Sequence, residues 1–188
     1  MNDILRDIPD QIESDRLILR SPQPGDGPIV YSAVCASLET LRAFPASMPW
    51  ALEEPSVDIS EAFCRQSRID YLARKGLPML LFLKGSETFI GACGLHNLSW
   101  KHQQAHTGYW VHRNWQGQGL ITEAVSTICD FAFTQLKLRR ISCLADIHNL
   151  NSRRVAERAG FQLEGILRNE RIAPDGSLRD TALYALIR

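Results

Sequence analysis

Two short stretches of this 188-residue chain hold residue types that could do chemistry. The first is Gln116-Gly117-Gln118-Gly119-Leu120-Ile121, a glycine turn between an extended segment that ends at His112 and a long amphipathic one from Leu120 to Leu136. A strand that turns into a helix through glycines leaves the first helical N–H groups unpaired, and the helix dipole adds roughly half a positive charge at the same place. Such a turn seats phosphates. It can equally be a C-cap followed by a tight turn, and two glycines alone do not decide between the two. The second stretch, Asn149-Leu150-Asn151-Ser152, stands at the mouth of another helix. There an amide and a hydroxyl either cap orphan N–H groups or face a ligand.

The elements that must position these stretches follow from periodicity and turn residues. Arg16–Arg20 reads as a strand stopped by Ser21-Pro22 and Pro24-Gly25, and a helix follows from Asp26 to about Ala36. Ser37–Pro55, with three prolines, Met48 and Trp50, resists assignment. Ser56 caps a helix whose apolar positions (Ile59, Ala62, Phe63, Ile69, Leu72, Ala73) recur at three and four. Strands Pro78–Leu83 and Thr88–His96 form a hairpin through Lys84–Glu87, and Gln104–His112 is a third. Beyond the glycine turn, Ile121, Ala124, Val125, Ile128, Phe131 and Ala132 make one apolar stripe. Strand Arg140–Asp146, helix Asn151–Ala159 with Gly160 closing it, and a hairpin of Phe161–Ile172 with Leu178–Ile187 complete the order. The expectation is a mixed α/β fold: a single, mostly antiparallel mixed sheet of about seven strands, helices on both faces, and one domain over residues 1–188 whose first dozen residues fray.

Composition narrows the class. The chain is 45% hydrophobic and 22% charged, with 21 basic against 21 acidic residues. A nucleic-acid surface needs a basic stripe that is missing here, and the longest apolar run, Leu77–Leu83, is too short to span a bilayer. No signal-peptide core opens the chain. The five cysteines have no paired spacing and read as reduced core residues of a cytoplasmic protein. His102 and His106 stand four apart, but in a loop and a strand start, so no metal site is expected.

A dinucleotide-binding turn would place Asp146, at the end of the next strand, on a ribose. Thr122 stands where its third glycine should be, and too few residues follow for a doubly wound sheet. A nucleoside-triphosphate loop lacks its Gly-Lys-Ser/Thr. From Ser14 to Arg188 the chain instead resembles the GNAT superfamily of N-acetyltransferases, within it the RimJ/RimL-like group of ribosomal-protein N-terminal acetyltransferases. Ser14–Arg20, Gly108-Tyr109-Trp110-Val111, Gln116–Ile121 with Thr122-Glu123-Ala124, Asn149-x-x-Ser152 through Phe161, and Gly176–Asp180 carry the resemblance.

The resemblance implies acetyl-coenzyme A as cofactor and an amine as acceptor, most readily a protein N-terminal α-amine, in a monomer or homodimer. A small amine or antibiotic as acceptor, or a non-catalytic coenzyme A sensor, are the other readings. Backbone N–H groups of Gln116, Gly117, Gln118, Gly119, Leu120 and Ile121 would cradle the pyrophosphate, and the backbone of Trp110 and Val111 would pair with pantetheine like an added strand. Asn149 would bond the pantetheine. Much of the superfamily has a tyrosine four residues after the Ser152 position; here it is Ala156, and Ser152 inherits the role of acid to the departing thiolate. Arg153 and Arg154 either meet phosphates, or Arg153 pairs with Glu157. Glu170 in the last hairpin is the candidate base, with water as its rival. Glu123 reads as a first-turn charge, His96 and His112 flank the cleft, and Trp50 and Trp100 either wall the acceptor pocket or fill the core.

Overall fold

Leu77–Leu83 is apolar at nearly every position because it is covered on both sides. Leu77, Met79 and Leu81 join one buried cluster, and Leu80 and Phe82 join another. The computed structural model describes residues 3–188, and in it this strand is β3 of an eight-stranded sheet. The strands are β1 Gln11–Glu13, β2 Leu17–Arg20, β3 Leu77–Leu83, β4 Phe89–Ser99, β5 Gln104–Val111, β6 Arg140–Asp146, β7 Gln162–Ile172 and β8 Leu178–Ile187, in the order β1-β2-β3-β4-β5-β6-β8-β7. Among the described residues every neighbouring pair is antiparallel except β5–β6.

Helices α1 Gly27–Arg42 and α2 Val57–Leu72 cover one face, where Val30, Val34, Leu41 and Cys64 pack on Leu80, Phe82 and Phe89. Helices α3 Leu120–Thr134 and α4 Leu150–Arg158 cover the other, where Leu120, Val125, Ile128 and Ala156 meet Leu17, Leu19, Met79 and Tyr184. The mixed sheet with helices on both faces is therefore as expected.

Four expectations change. The sheet has eight strands rather than seven, because Gln11–Glu13 pairs with Ile18–Arg20. Residues 3–12 are accordingly tied down rather than frayed (Met1 and Asn2 lie outside the described residues). Ile8 is buried, Arg68 clamps Asp10 at 2.6 and 3.0 Å, Arg74 donates to the Arg6 carbonyl, and the Tyr71 hydroxyl donates to the Pro9 carbonyl. Helix α1 runs six residues past Ala36 because Leu38 and Leu41 continue its apolar stripe while Ser37, buried, accepts the Arg113 N–H at 3.0 Å. After it the Arg42 guanidinium holds the Ala51 carbonyl at 2.7 Å, and a 3₁₀ turn at Pro49–Leu52 sets Trp50 beside the sheet. Ser56 caps α2 as predicted, accepting from Ile59 at 3.1 Å. Four cysteines are buried, but Cys35 is exposed.

The parallel pair matters most for function. β5 and β6 are in register from Gln104↔Arg140 to Thr107↔Cys143 and then part. Past that point β5 stays with β4 as far as Val111↔Gly91, and β6 stays with β8 as far as Asp146↔Thr181. A gap opens between residues 108–111 and 144–146, and both the glycine turn and α4 lie at its edges.

Candidate functional site

Gly117 and Gly119 have φ of +74° and +76°, the left-handed region that favours glycine. A Cβ at 117 would meet nothing within 4 Å, and at 119 only the Arg16 Nη2 at 3.7 Å. Backbone shape, not crowding, demands these glycines, and the space outside them is open. The first backbone bond of α3 runs from the Glu123 N–H to the Gly119 carbonyl at 3.0 Å, so the N–H groups ahead of Glu123 are those a helix start leaves over. Leu120 and Ile121 are buried, so their side chains stay clear of the space outside the turn. This cradle, free of side chains, fits a pyrophosphate.

The turn is held from a distance. Ser14 Oγ donates to Glu123 Oε1 at 2.6 Å, and Arg16 donates to the same carboxylate through its backbone N–H at 2.8 Å and its Nε at 2.7 Å. Arg16 Nη1 also reaches the Gln118 carbonyl at 3.2 Å. Burial would raise the Glu123 pKa, but the bonds from Ser14 and Arg16 outweigh it and hold the carboxyl below its ordinary value. Glu123 is a first-turn charge, as expected, and it also anchors the turn. Arg16, about half exposed, sets a cation beside the cradle. In the sequence Ser14 and Arg16 stand only within a motif, and nothing local ties them to residues a hundred positions on.

At the mouth of α4 the structure separates two roles. Asn149 Oδ1 accepts the Ser152 N–H at 3.0 Å and is the helix cap. The Ser152 hydroxyl caps nothing: it donates to the Tyr109 hydroxyl at 3.2 Å, which itself donates to the Ser152 carbonyl at 2.9 Å. Tyr109 thus bridges the gap from β5 to α4. Burial above all, with Cys143 beside it, raises its phenol pKa and keeps it protonated. Arg153 does not pair directly with Glu157; it bonds the Tyr184 hydroxyl and the Ile147 carbonyl, each at 3.0 Å, and Tyr184 passes the link to Glu157. Arg154 is exposed.

Trp110 and Val111 line β5 where it leaves β6. The Trp110 ring turns to the α1 face and lies 6.2 Å from the Trp50 ring. Between that face and the sheet is a cavity of about 590 Å³ that includes Met48, Trp50, Phe63, His96, Tyr109 and Trp110 in its lining. Trp100 is elsewhere, donating to the Arg74 carbonyl. Glu170 does not line this cavity. Its carboxylate accepts from Thr181 Oγ1 at 2.7 Å and pairs with Arg171 at 2.9 Å on the last hairpin. Asp146, where a ribose-binding acid would stand, is buried and clamped by Arg179 at 2.9 and 3.0 Å.

A helix start with unpaired N–H groups, a parted parallel pair and a hydroxyl pair between them fit a coenzyme-dependent acyltransferase. Comparison with known proteins makes this specific. The acetyltransferase (GNAT) domain family matches residues 16–162, and the chain belongs to that family of N-acetyltransferases, which use acetyl-coenzyme A. It is 34% identical over 121 residues, 64% of each chain, to the putative ribosomal N-acetyltransferase YdaF of Bacillus subtilis. It is 29% identical to the [ribosomal protein uS5]-alanine N-acetyltransferase of Escherichia coli, over 94% of this chain and 90% of that one. The RimJ structure from Mycobacterium smegmatis, in complex with CoA-disulfide, superposes with a TM-score of 0.78 at 28% identity, covering 91% of this chain and 81% of that chain. Among the described residues no helix is long and apolar enough to cross a membrane.

Proposed function

We propose that this N-acetyltransferase acts on the α-amine of a protein N-terminus. The observation that carries the reading is the alignment of turn, gap and Ser152 along one edge of β5, together with relatives named for ribosomal proteins. Acetyl-coenzyme A supplies an activated acyl thioester. The N–H groups of Gln116 to Ile121 would hold its pyrophosphate, with Arg16 beside the turn and the exposed Arg154 as the proposed cations. The freed backbone of Trp110 and Val111 would take the pantetheine amides, aided by the Asn149 amide nitrogen. Ser152, whose hydroxyl now donates to Tyr109, would turn that proton to the sulfur as it departs. A model thiol has a pKa near 8.5 and needs little protonation, so this donor contributes roughly 10²-fold or less. An α-amine, of pKa near 7.7–8.0, reaches the site partly neutral without a strong base. The direct test is turnover with unmodified N-terminal peptides, their α-acetylated counterparts and free small amines. Peptide products acetylated at the α-nitrogen support the reading; modification of small amines alone, or binding without turnover, overturns it.

The division of labour at α4 gives a paired expectation. Asn149→Ala should cost about 1 kcal/mol of stability, the usual loss for an N-cap. Ser152→Ala should leave stability within about 0.5 kcal/mol, because its hydroxyl caps nothing, while lowering kcat several-fold to a hundredfold. Thermal melts and steady-state rates on both variants check this, and a stable Asn149→Ala beside a destabilised Ser152→Ala would reverse the assignment.

Glu170 is the proposed alternative to water as base. With its carboxylate already engaged by Thr181 and Arg171, the expected result is that Glu170→Gln and the parent give superimposable kcat/KM profiles rising with a midpoint near 8, that of the substrate α-amine. Profiles measured with amines of different pKa check it. A limb fixed in position across amines and lost in the variant would make Glu170 the base.

A further inference from the structure

The cavity against β5 is built for something larger than an alanine or serine side chain. At about 590 Å³ it falls in the range of pockets that hold drug-sized groups, roughly 300–1,000 Å³. Val34, Met48, Ile59, Phe63, Leu80 and Trp110 make its walls apolar. Trp50, Ile59 and Phe63 are 48%, 40% and 42% exposed, so the fold leaves large apolar side chains uncovered at one mouth. Such patches mark binding surfaces.

Its floor includes β5 where that strand leaves β6, and the gap there leads to the Tyr109 side chain on the other face of the sheet. Gly108 and Tyr109 line the cavity, and the Tyr109 hydroxyl touches Ser152 across the gap. Two further observations point to a ligand. The Ser47 hydroxyl, in the cavity wall, is the one buried side-chain polar atom among the described residues without a hydrogen-bond partner; such an atom needs an explanation, and a ligand amide supplies one. The charged groups of the lining are the carboxylates of Glu53 and Glu54, the latter also 3.6 Å from Arg42. His96 adds no positive charge at neutral pH, because burial and the neighbouring His106 lower its pKa. The rim therefore suits an approaching ammonium.

The geometry points to this cavity as the acceptor site for an N-terminal segment with a large apolar or aromatic side chain on one of its first two residues, its α-amine directed at Tyr109 and Ser152. This rests on the N-terminal reading above and narrows it. The side chain, not the peptide backbone, belongs in the apolar part, since amides buried there without partners would cost several kcal/mol. The backbone follows the polar part of the lining, from the α-amine at the β5–β6 gap past Ser47 to Glu53 at the mouth.

The test is calorimetric binding, without acetyl-coenzyme A, of short peptides beginning Phe-Ala, Ala-Phe, Ala-Ala or Ser-Ala. The Phe-containing peptides should bind at least tenfold tighter than the other two. Trp50→Ala and Phe63→Ala, both at exposed positions, should each remove most of that preference while coenzyme A binding, measured in parallel, shows the variants folded. Equal affinity for all four peptides, or a preference that survives both substitutions, overturns the proposal. So does binding of phenethylamine when no peptide binds, which makes the occupant a small aromatic amine. Tight binding of Phe peptides that turnover assays fail to acetylate supports the cavity and defeats the proposed reaction.

Discussion

Replacing Gly119 with glutamate is expected to weaken coenzyme A binding by tenfold or more, about 1.4 kcal/mol or greater, in a protein that still folds. Two effects add. A Cβ at φ +76° strains the backbone by roughly 1–2 kcal/mol, which a protein of ordinary stability survives. The larger effect is electrostatic: the new carboxylate stands where a helix start presents N–H groups, and it can draw Arg16, whose Nη2 is only 3.7 Å from the Cβ position, away from the Gln118 carbonyl. Gly119→Ala separates the two, because it carries the strain without the charge and meets nothing closer than that guanidinium. Titration calorimetry should give parent, then alanine, then glutamate in falling affinity. Glutamate binding as tightly as the parent would remove the pyrophosphate from this turn.

The turn was legible in the sequence because its cause is local: glycines where φ is positive, then an apolar stripe. Asn149 and Ser152 were legible as a pair but not as individuals, since capping and catalysis favour the same residue types. Only the folded contacts separate them: Asn149 Oδ1 takes the Ser152 N–H, while the Ser152 hydroxyl meets Tyr109, forty residues earlier. The bond between Arg16 and Glu123 was not legible for a related reason; each looks ordinary beside its neighbours, and their bond joins the residue before β2 to α3. The N-terminal residues misled differently. Their anchors are the carbonyls of Arg6 and Pro9 and the Asp10 carboxylate, held by Arg74, Tyr71 and Arg68 of the α2 end, and backbone acceptors leave no compositional trace. Ser37 resembled a helix stop, yet a serine can stay in a helix when it faces a partner, here the Arg113 N–H.

Asp146→Asn should lower stability by about 2–3 kcal/mol at pH 7 while changing coenzyme A affinity little, the opposite signature to Gly119→Glu. Burial alone would raise the Asp146 pKa, but the two Arg179 bonds and the His148 N–H at 2.9 Å overcome it and hold the carboxyl below 3.8. Breaking a fully buried pair costs about 3–5 kcal/mol; Arg179 is 31% exposed and regains hydration, which sets the lower figure. For a chain of this size that is roughly 5–10 °C in Tm. The sign with pH follows from a depressed folded pKa. The contribution is complete above the unfolded value near 3.9 and shrinks as pH falls below it toward the lower folded value, so the gap between parent and variant should begin to narrow below about pH 4. Asparagine keeps the acceptor for His148, so the turn that carries Asn149, whose N–H bonds the Asp146 carbonyl at 2.9 Å, stays in place and Ser152 with it. Melts of both proteins from pH 3 to 8 test the whole argument: a constant difference across that range would mean the lost term is packing rather than charge, and no difference at pH 7 would mean that the Arg179 clamp contributes nothing.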